Sequence, residues 1–180
     1  MKPTLSTSDA TAGKADLLVV ILDDRQTLAQ TPRHLAAVVA DARKRFDAQT
    51  LKRELLLPPA RAGQPHLLVC HTALAAPFAG AEAVRIIVSR ALEAAADHGL
   101  RRIAVSLDGV DGGAFVGAAS DGLVLGHYRQ TAYRSGKSTP DPTVTIQVRA
   151  AARRSAGAIL RRGNIVAEQV NACRDLVNEP

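Results

Sequence analysis

The chain has few cysteines, which cross-link small domains as disulfides, and few aromatic residues, which stack on nucleic-acid bases. Its 180 residues include two cysteines and no tryptophan, and only 3% of them are aromatic. Cys70 and Cys173 lie far apart and neither belongs to a CxxC motif, which excludes a disulfide framework or zinc ribbon and favours reduced thiols. The shortage of aromatic residues argues against a stacking platform for single-stranded nucleic acid.

Long apolar runs are also missing, and this bears on the location of the protein. No stretch approaches the ~20 consecutive apolar residues of a membrane-spanning helix. The first 14 residues are polar without an apolar core, so they predict a flexible lead-in and not a secretory signal. With 47% hydrophobic and 22% charged residues, the sequence predicts one soluble domain with a substantial core. We therefore expect a cytoplasmic protein with no membrane partner.

Motifs for catalysis and metal binding are absent. There is no HExxH, no GxSxG and no cluster with metal-ligand spacing. The segment RSGKST, residues 134–139, resembles the end of a phosphate-binding loop, but Thr131 replaces the required glycine and Pro140 follows at once, so we expect a surface turn. The isolated histidines are expected to be structural: His34, His66, His71, His98 and His127. We assign no catalytic, cofactor-binding or metal-binding residue.

Strand and helix patterns alternate along the chain. The expected elements are a buried strand at Ala15–Leu22, a helix from Thr31–Pro32, strands at Glu54–Leu57 and His66–His71, a helix over Gly80–His98 stopped by Gly99, a buried strand at Arg102–Leu107, a glycine-rich loop at Asp108–Gly117, a helix to Tyr128 and a half-exposed strand at Thr143–Val148. This order predicts an α/β sandwich with a central mixed sheet.

The last segment predicts a long helix from about Ser155. An apolar stripe runs along it, formed by Ile159, Val166, Val170, Cys173 and Val177, with Gly163 in the long gap. Such a stripe is typical of a packing seam. The helix follows the last strand, so we interpret residues 151–180 as a connector that leaves a domain at 15–150 and packs against a further domain.

The net charge of +6 permits contact with phosphates. A basic cluster is formed by Arg149, Arg153, Arg154, Arg161 and Arg162. It is interpreted as a solvated helix face or a face that docks an acidic partner, with DNA binding as the alternative. The loop at Asp108–Gly117 could cradle an anion, although its glycines do not have GxGxxG spacing.

Two segments carry a family resemblance. IVAEQVNACRDLVNEP, Ile165–Pro180, resembles the junction signature of the leucine aminopeptidase (cytosol aminopeptidase) family, with matches at Arg174, Asp175, Leu176, Asn178 and Pro180. AASDGLVLGHYRQTAYRSGK resembles the family's "a.EGl.Lg.Y.F..Yks" helix and turn, matching at Gly122, Leu123, Leu125, Gly126, Tyr128 and Tyr133. Asp121 replaces the usual Glu, Gln130 the usual Phe, and VCHTAL, Val69–Leu74, the family's "vGLG" strand end.

The resemblance implies a macro-domain-like three-layer sandwich that forms the non-catalytic N-terminal domain of a metal-dependent leucyl aminopeptidase. In that family the two divalent metal ions, zinc or manganese, and the catalytic residues belong to a C-terminal domain, and the N-terminal domain serves hexamer assembly and active-site access. The family's NTDAEGR signature is absent, so this chain is expected to be inactive alone. DNA binding, known in some members, and nucleotide or ADP-ribose binding, by analogy with macro domains, stay open as alternatives.

Overall fold

The computed structural model describes residues 1–7, 14–23, 35–107, 113–128 and 140–177. Its strands are β1 (Thr4–Ser6), β2 (Leu17–Leu22), β3 (Leu55–Leu57), β4 (His66–His71), β5 (Arg102–Ser106) and β6 (Thr143–Gln147), and its helices are α1 (Ala36–Asp47), α2 (Gly80–Asp97), α3 (Gly113–Gly126) and α4 (Arg153–Val177). Short 3₁₀ turns at Thr72–Ala75 and Ala150–Ala152 precede α2 and α4.

The central strand of the sheet is β2, and all six of its residues are buried. The strand order is β1-β6-β5-β2-β4-β3, with parallel pairing throughout except for the antiparallel β3–β4 pair. A strand covered on both faces needs apolar residues at every position, which explains the unbroken sequence LLVVIL.

Helices cover both faces of the sheet. Leu17, Val19 and Ile21 face a core that also contains buried residues of α2, α3 and α4. Leu18 and Val20 face a smaller core with Val39, Ala42 and Phe46 of α1. The predicted fold class is therefore confirmed: an α/β sandwich of three layers around a mixed sheet, with a long C-terminal helix.

Several predicted elements match closely. The strands near 15–22, 54–57, 66–71 and 102–107 and the helix over 80–98 are confirmed to within two residues. Gly99 ends α2 with φ of +68°, a left-handed conformation that suits glycine. The predicted Thr31–Pro32 helix start and the RSGKST segment lie outside the described residues.

Two expectations were wrong, and a third was confirmed only in part. Residues 4–6 of the predicted lead-in form the edge strand β1, which pairs with β6. The predicted loop at Asp108–Gly117 ends early, because α3 already begins at Gly113. The strand β6 shows the predicted alternation only in part: Thr143 is exposed and Thr145 half-buried, but Gln147 is buried like Val144 and Ile146.

Two glycines let α3 approach α2 closely. A Cβ added at Gly122 would overlap the backbone carbonyl oxygen of Arg85, and one at Gly126 would overlap the hydroxyl of Ser89. Both glycines are positions where the chain matches the aminopeptidase pattern. The spacing of α2 and α3 therefore requires glycine there.

Gly122→Ala is expected to lower the free energy of unfolding by about 1–3 kcal/mol, because the methyl group meets backbone that has no rotamer to adjust. Gly157→Ala is the control. A Cβ at Gly157 has no neighbour closer than 3.7 Å, so the better helix propensity of alanine should stabilise the chain by up to ~1 kcal/mol. Urea unfolding monitored by circular dichroism measures both. Equal effects of the two variants would contradict the close approach.

Asp16 joins the starts of three strands. Its carboxylate accepts hydrogen bonds from the Arg102 side chain, with Nε 2.9 Å away, and from the backbone N–H groups of Arg101 and Arg102 at 3.1 and 2.8 Å. Its backbone carbonyl accepts from His66 N–H at 2.8 Å. The Arg102 side chain lowers the pKa of Asp16 to about 2, against an ordinary 3.8, and the two backbone donors add to this despite partial burial.

A lowered pKa in the folded state stabilises the fold above about pH 4, and this contribution is lost as the pH falls toward 2. Asp16→Asn should therefore lose about 1–2 kcal/mol at pH 7 and should show a shallower decline in stability between pH 4 and pH 2. Asp47→Asn, which changes an exposed carboxylate by the same charge, should leave the pH profile unchanged. Denaturation midpoints measured from pH 2 to pH 7 check both variants.

Candidate functional site on the C-terminal helix

The helix α4 packs against α3 through a small and polar face. Ala156, Leu160 and Ala167 are its buried residues. Close by, the hydroxyl of Ser120 in α3 donates to Asn164 Oδ1 at 2.8 Å, and a Cβ added at Gly163 would lie 3.3 Å from that hydroxyl oxygen. Small residues thus let the two helices approach, and polar residues fix their register.

Side chains of α4 hold the C-terminal end of α3. Asn171 Nδ2 donates to the carbonyl of Val124 at 3.2 Å, and an Arg174 terminal nitrogen donates to the carbonyl of Leu125 at 3.2 Å. The last carbonyls of a helix have no partner within it, so these contacts satisfy groups that would otherwise need water. The positive charge of Arg174 also lies at the negative end of the α3 dipole.

Tyr128 completes this contact, which we call the clasp: Tyr128, Asn171, Arg174, Asp175 and the Val124 and Leu125 carbonyls. The Tyr128 hydroxyl donates to Asp175 Oδ1 at 2.8 Å, and the Arg174 guanidinium carbon lies 5.4 Å from the centre of the Tyr128 ring. Arg174 and Asp175 belong to one matched segment, and Leu125 and Tyr128 belong to the other. The two segments that resemble the aminopeptidase pattern therefore meet in one structural contact.

The predicted apolar stripe of α4 divides in two: Ile159 and Gly163 lie next to α3, near Gly117 and Ser120, whereas its later members lie on another side of the helix and are exposed. Val166 is 52% exposed, Val170 38% and Val177 83%. Ile165 and Leu176 widen the exposed surface, at 62% and 69%, and Cys173 is exposed as well. We call Ile165, Val166, Val170, Leu176 and Val177 the apolar stripe. Five large exposed aliphatic side chains on one helix mark an interaction surface.

The predicted basic cluster divides into parts with different surroundings. Arg153, Arg154 and Arg161 line one cleft at the start of α4. Arg162 follows Arg161 directly but is not among the residues that line the cleft. Outside the cluster, Arg102 pairs with Asp16, and Arg101 donates to the carbonyl of Pro140 at 2.5 Å.

Polar side chains also gather where the parallel strands end. His71, Ser106 and Gln147 are buried at the carboxyl ends of β4, β5 and β6. The hydroxyl of Thr72 donates to Asp23 Oδ1 at 2.6 Å, and Arg43 donates to the Asp23 carbonyl at 2.9 Å. Ligands of open α/β sheets bind at this edge in general. Residues 108–112 of the glycine-rich loop predicted to cradle an anion lie outside the described part of the chain.

The remaining candidates from the sequence have the following surroundings where they are described. Cys70 is buried and its burial raises the pKa of the thiol, so it is not a nucleophile at neutral pH. The His66 ring lies 3.3 Å from the Asp16 carbonyl and His127 Nε2 lies 2.9 Å from Asp141 Oδ1. Across the described ranges, no three His, Cys, Asp or Glu side chains group together to hold a metal ion. Nor does any helix in those ranges have the length and apolarity to cross a membrane.

Comparisons with known proteins show a likeness in fold. No family model matches the chain, and none of the curated proteins does. Among solved structures, a mutant of tomato leucine aminopeptidase matches with a TM-score of 0.61 and 18% identity, over 100% of this chain and 38% of the other. The bottromycin maturation enzyme BotP matches with a TM-score of 0.58 and 23% identity, over 92% of this chain and 33% of the other. The chain thus spans about a third of the length of each enzyme.

Asn171→Ala should destabilise the chain by about 1 kcal/mol, because it leaves the Val124 carbonyl without its donor, less the gain from the better helix propensity of alanine. Gln169→Ala is the matched control, since it truncates an exposed amide two residues away on the same helix. Hydrogen exchange of the last turn of α3 together with urea unfolding measures the effect. If both variants are equally stable, the clasp does not hold the two helices together.

Proposed function

We propose that the chain is the non-catalytic N-terminal domain of a metal-dependent leucyl aminopeptidase, in which α4 connects this domain to a catalytic domain. The observation that carries the proposal is the apolar stripe. It is exposed from Ile165 to Val177, although α4 is already fixed to its own domain by the opposite polar contacts. An exposed aliphatic helix face of this kind is typical of a surface that a second domain covers.

The likeness in fold supports the same proposal. The chain has the size of about a third of two enzymes in the comparison, one of them a leucine aminopeptidase, which leaves most of such an enzyme for a further domain. The clasp supports it as well, because the residues that match the family pattern fix the direction in which α4 leaves the domain. Val177, at the described end of the helix, is the most exposed residue of the stripe.

In this proposal, catalysis belongs to one domain and assembly to the other. The macro-like domain consists of residues 15–150 together with the edge strand β1, and residues 151–180 form the connector. The two zinc or manganese ions and the residues that activate water belong to the catalytic domain, and we derive no catalytic step on the residues described here. In the cytoplasm the complete protein would remove N-terminal residues from peptides, and the present domain would serve hexamer assembly and access to the active site.

The proposal predicts different effects for two valines of equal exposure. Val170 on the stripe is 38% exposed and Val38 on α1 is 37% exposed. In the 180-residue chain alone, Val170→Glu and Val38→Glu should each change the free energy of unfolding by less than ~0.5 kcal/mol. In the complete polypeptide that the gene encodes, Val170→Glu should lower the stability by several kcal/mol, because it buries a charge without a partner.

Thermal unfolding and hydrolysis of leucyl-p-nitroanilide with added manganese or zinc measure these effects. We expect activity only in the complete polypeptide, reduced by Val170→Glu and unchanged by Val38→Glu. Hydrolysis by the 180-residue chain alone would overturn the division of labour. Equal effects of the two variants in the complete polypeptide would overturn the docking role of the stripe.

A further inference from the structure

A basic cleft opens at the start of α4, on the side of the helix next to the edge strand β1. It has a volume of about 520 Å³ and is lined by Leu5, Ala150, Arg153, Arg154, Gly157 and Arg161. The volume lies within the range of small-molecule sites. Three of the six lining residues are arginines and none carries a carboxylate.

The three guanidinium groups have no partner in the described part of the protein. None of them takes part in an ion pair or hydrogen bond with another described residue, whereas Arg43, Arg85, Arg101, Arg102 and Arg174 all do. Among the described residues, three positive charges therefore share one cleft without a compensating carboxylate. Their mutual repulsion is a cost that an anion in the cleft would remove.

The cleft has room between the arginines because residue 157 is a glycine. Arg153 and Arg154 lie one turn before it and Arg161 one turn after it. A terminal nitrogen of Arg161 lies 3.7 Å from the position that a Cβ of Gly157 would occupy, so the Arg161 head extends back over the glycine. The absence of a side chain there leaves a notch in the helix surface, with guanidinium groups on both sides of it.

The first turn of α4 is basic, whereas the first turn of a helix usually favours acidic residues. A helix N-terminus carries a partial positive charge and favours acidic residues in its first turn. The first turn of α4 contains no acidic residue and begins with two arginines. Departures from a local rule without an evident structural gain are expected at binding sites. The guanidinium groups carry this argument, and the helix end adds a smaller contribution of the same sign.

We propose that this cleft binds a small diphosphate-bearing anion. Arginine forms bidentate hydrogen bonds with phosphate oxygens. Along the helix axis Arg153 and Arg154 lie about two turns, ~11 Å, before Arg161. The Arg161 head extends back toward them over Gly157, so guanidinium groups reach the notch from both ends and can together hold two linked phosphoryl groups. Leu5 and Ala150 supply an apolar wall beside them. The site is separate from the clasp and the apolar stripe, and it does not depend on the proposed aminopeptidase role.

The test is calorimetric titration of the full chain with inorganic pyrophosphate at fixed ionic strength. We expect binding with a Kd below about 1 mM, weakened at least tenfold by Arg161→Gln. Arg162→Gln is the matched control: it removes the same charge from the adjacent exposed position and should change the Kd less than twofold. Circular dichroism and thermal unfolding verify that both variants are folded.

Gly157→Ala provides a second test that does not alter charge. Its methyl group fits within the protein, so the variant should unfold at the same or a higher temperature while it binds pyrophosphate at least fivefold more weakly. Weaker binding together with a lower unfolding temperature would mean that the cleft was damaged by the substitution, and would count against a defined notch.

Three results would overturn the proposal. The first is no heat of binding up to 10 mM pyrophosphate. The second is an equal loss in Arg161→Gln and Arg162→Gln, which would show attraction to the general positive charge only. The third is tighter binding of a short DNA duplex than of pyrophosphate, with a steep salt dependence and equal contributions from Arg161 and Arg162; that result would identify the face as a nucleic-acid surface.

Discussion

The hold of α4 on the end of α3 determines which surfaces this protein presents. Val124 and Leu125 end a helix whose last carbonyls need donors, and Asn171 and Arg174 supply them from the neighbouring helix. Once these donors are committed to α3, the rotation of α4 about its own axis is fixed. The apolar stripe then has to face away from α3, because it lies on a different side of the same helix.

The position of α3 itself depends on its close approach to α2. Gly122 lets α3 approach the backbone of α2, and Gly126 lets it approach Ser89, so α3 has no room to move closer to α2. The three helices on this face of the sheet thus form a continuous series of contacts from α2 to α4. This packing gives a physical reason for the glycines of α3 and for the polar donors near the end of α4.

The sequence predicted the elements whose own residues decide their structure. β2, β4 and β5 are continuous apolar runs, and α2 has a regular apolar stripe with Gly99 at its end. β1 was missed because three residues, Thr4–Ser6, have no pattern of their own, and their pairing with β6 joins residues about 140 positions apart. Periodicity along the chain contains no information about such a partner.

The same reasoning explains what could and could not be predicted about α4. Its apolar period identified a long helix and a packing seam, and Ile159 and Gly163 of that seam do lie against α3. The same face also contains Ala156 and Asn164, which a search for apolar periodicity passes over. The arginines show the same limit, since Arg161 and Arg162 are identical neighbours in the sequence. Only the three-dimensional position of Gly157 and Leu5 places one of them in a cleft with two others.

Function in this fold has to be argued from surfaces, because an α/β sandwich supports many activities. The described part of α4 carries two surfaces with opposite chemistry: a charged cleft in its first turns and an aliphatic stripe in its last three. Burial of the apolar stripe is favourable only when another surface covers it. The guanidinium groups of the cleft are instead stabilised by an anion, which can remain partly in water. A partner with an apolar surface would bind the stripe and leave the charged cleft empty, and an anionic partner would do the reverse. If both proposals hold, the helix joins two independent binding events, one with a protein domain and one with a small anion.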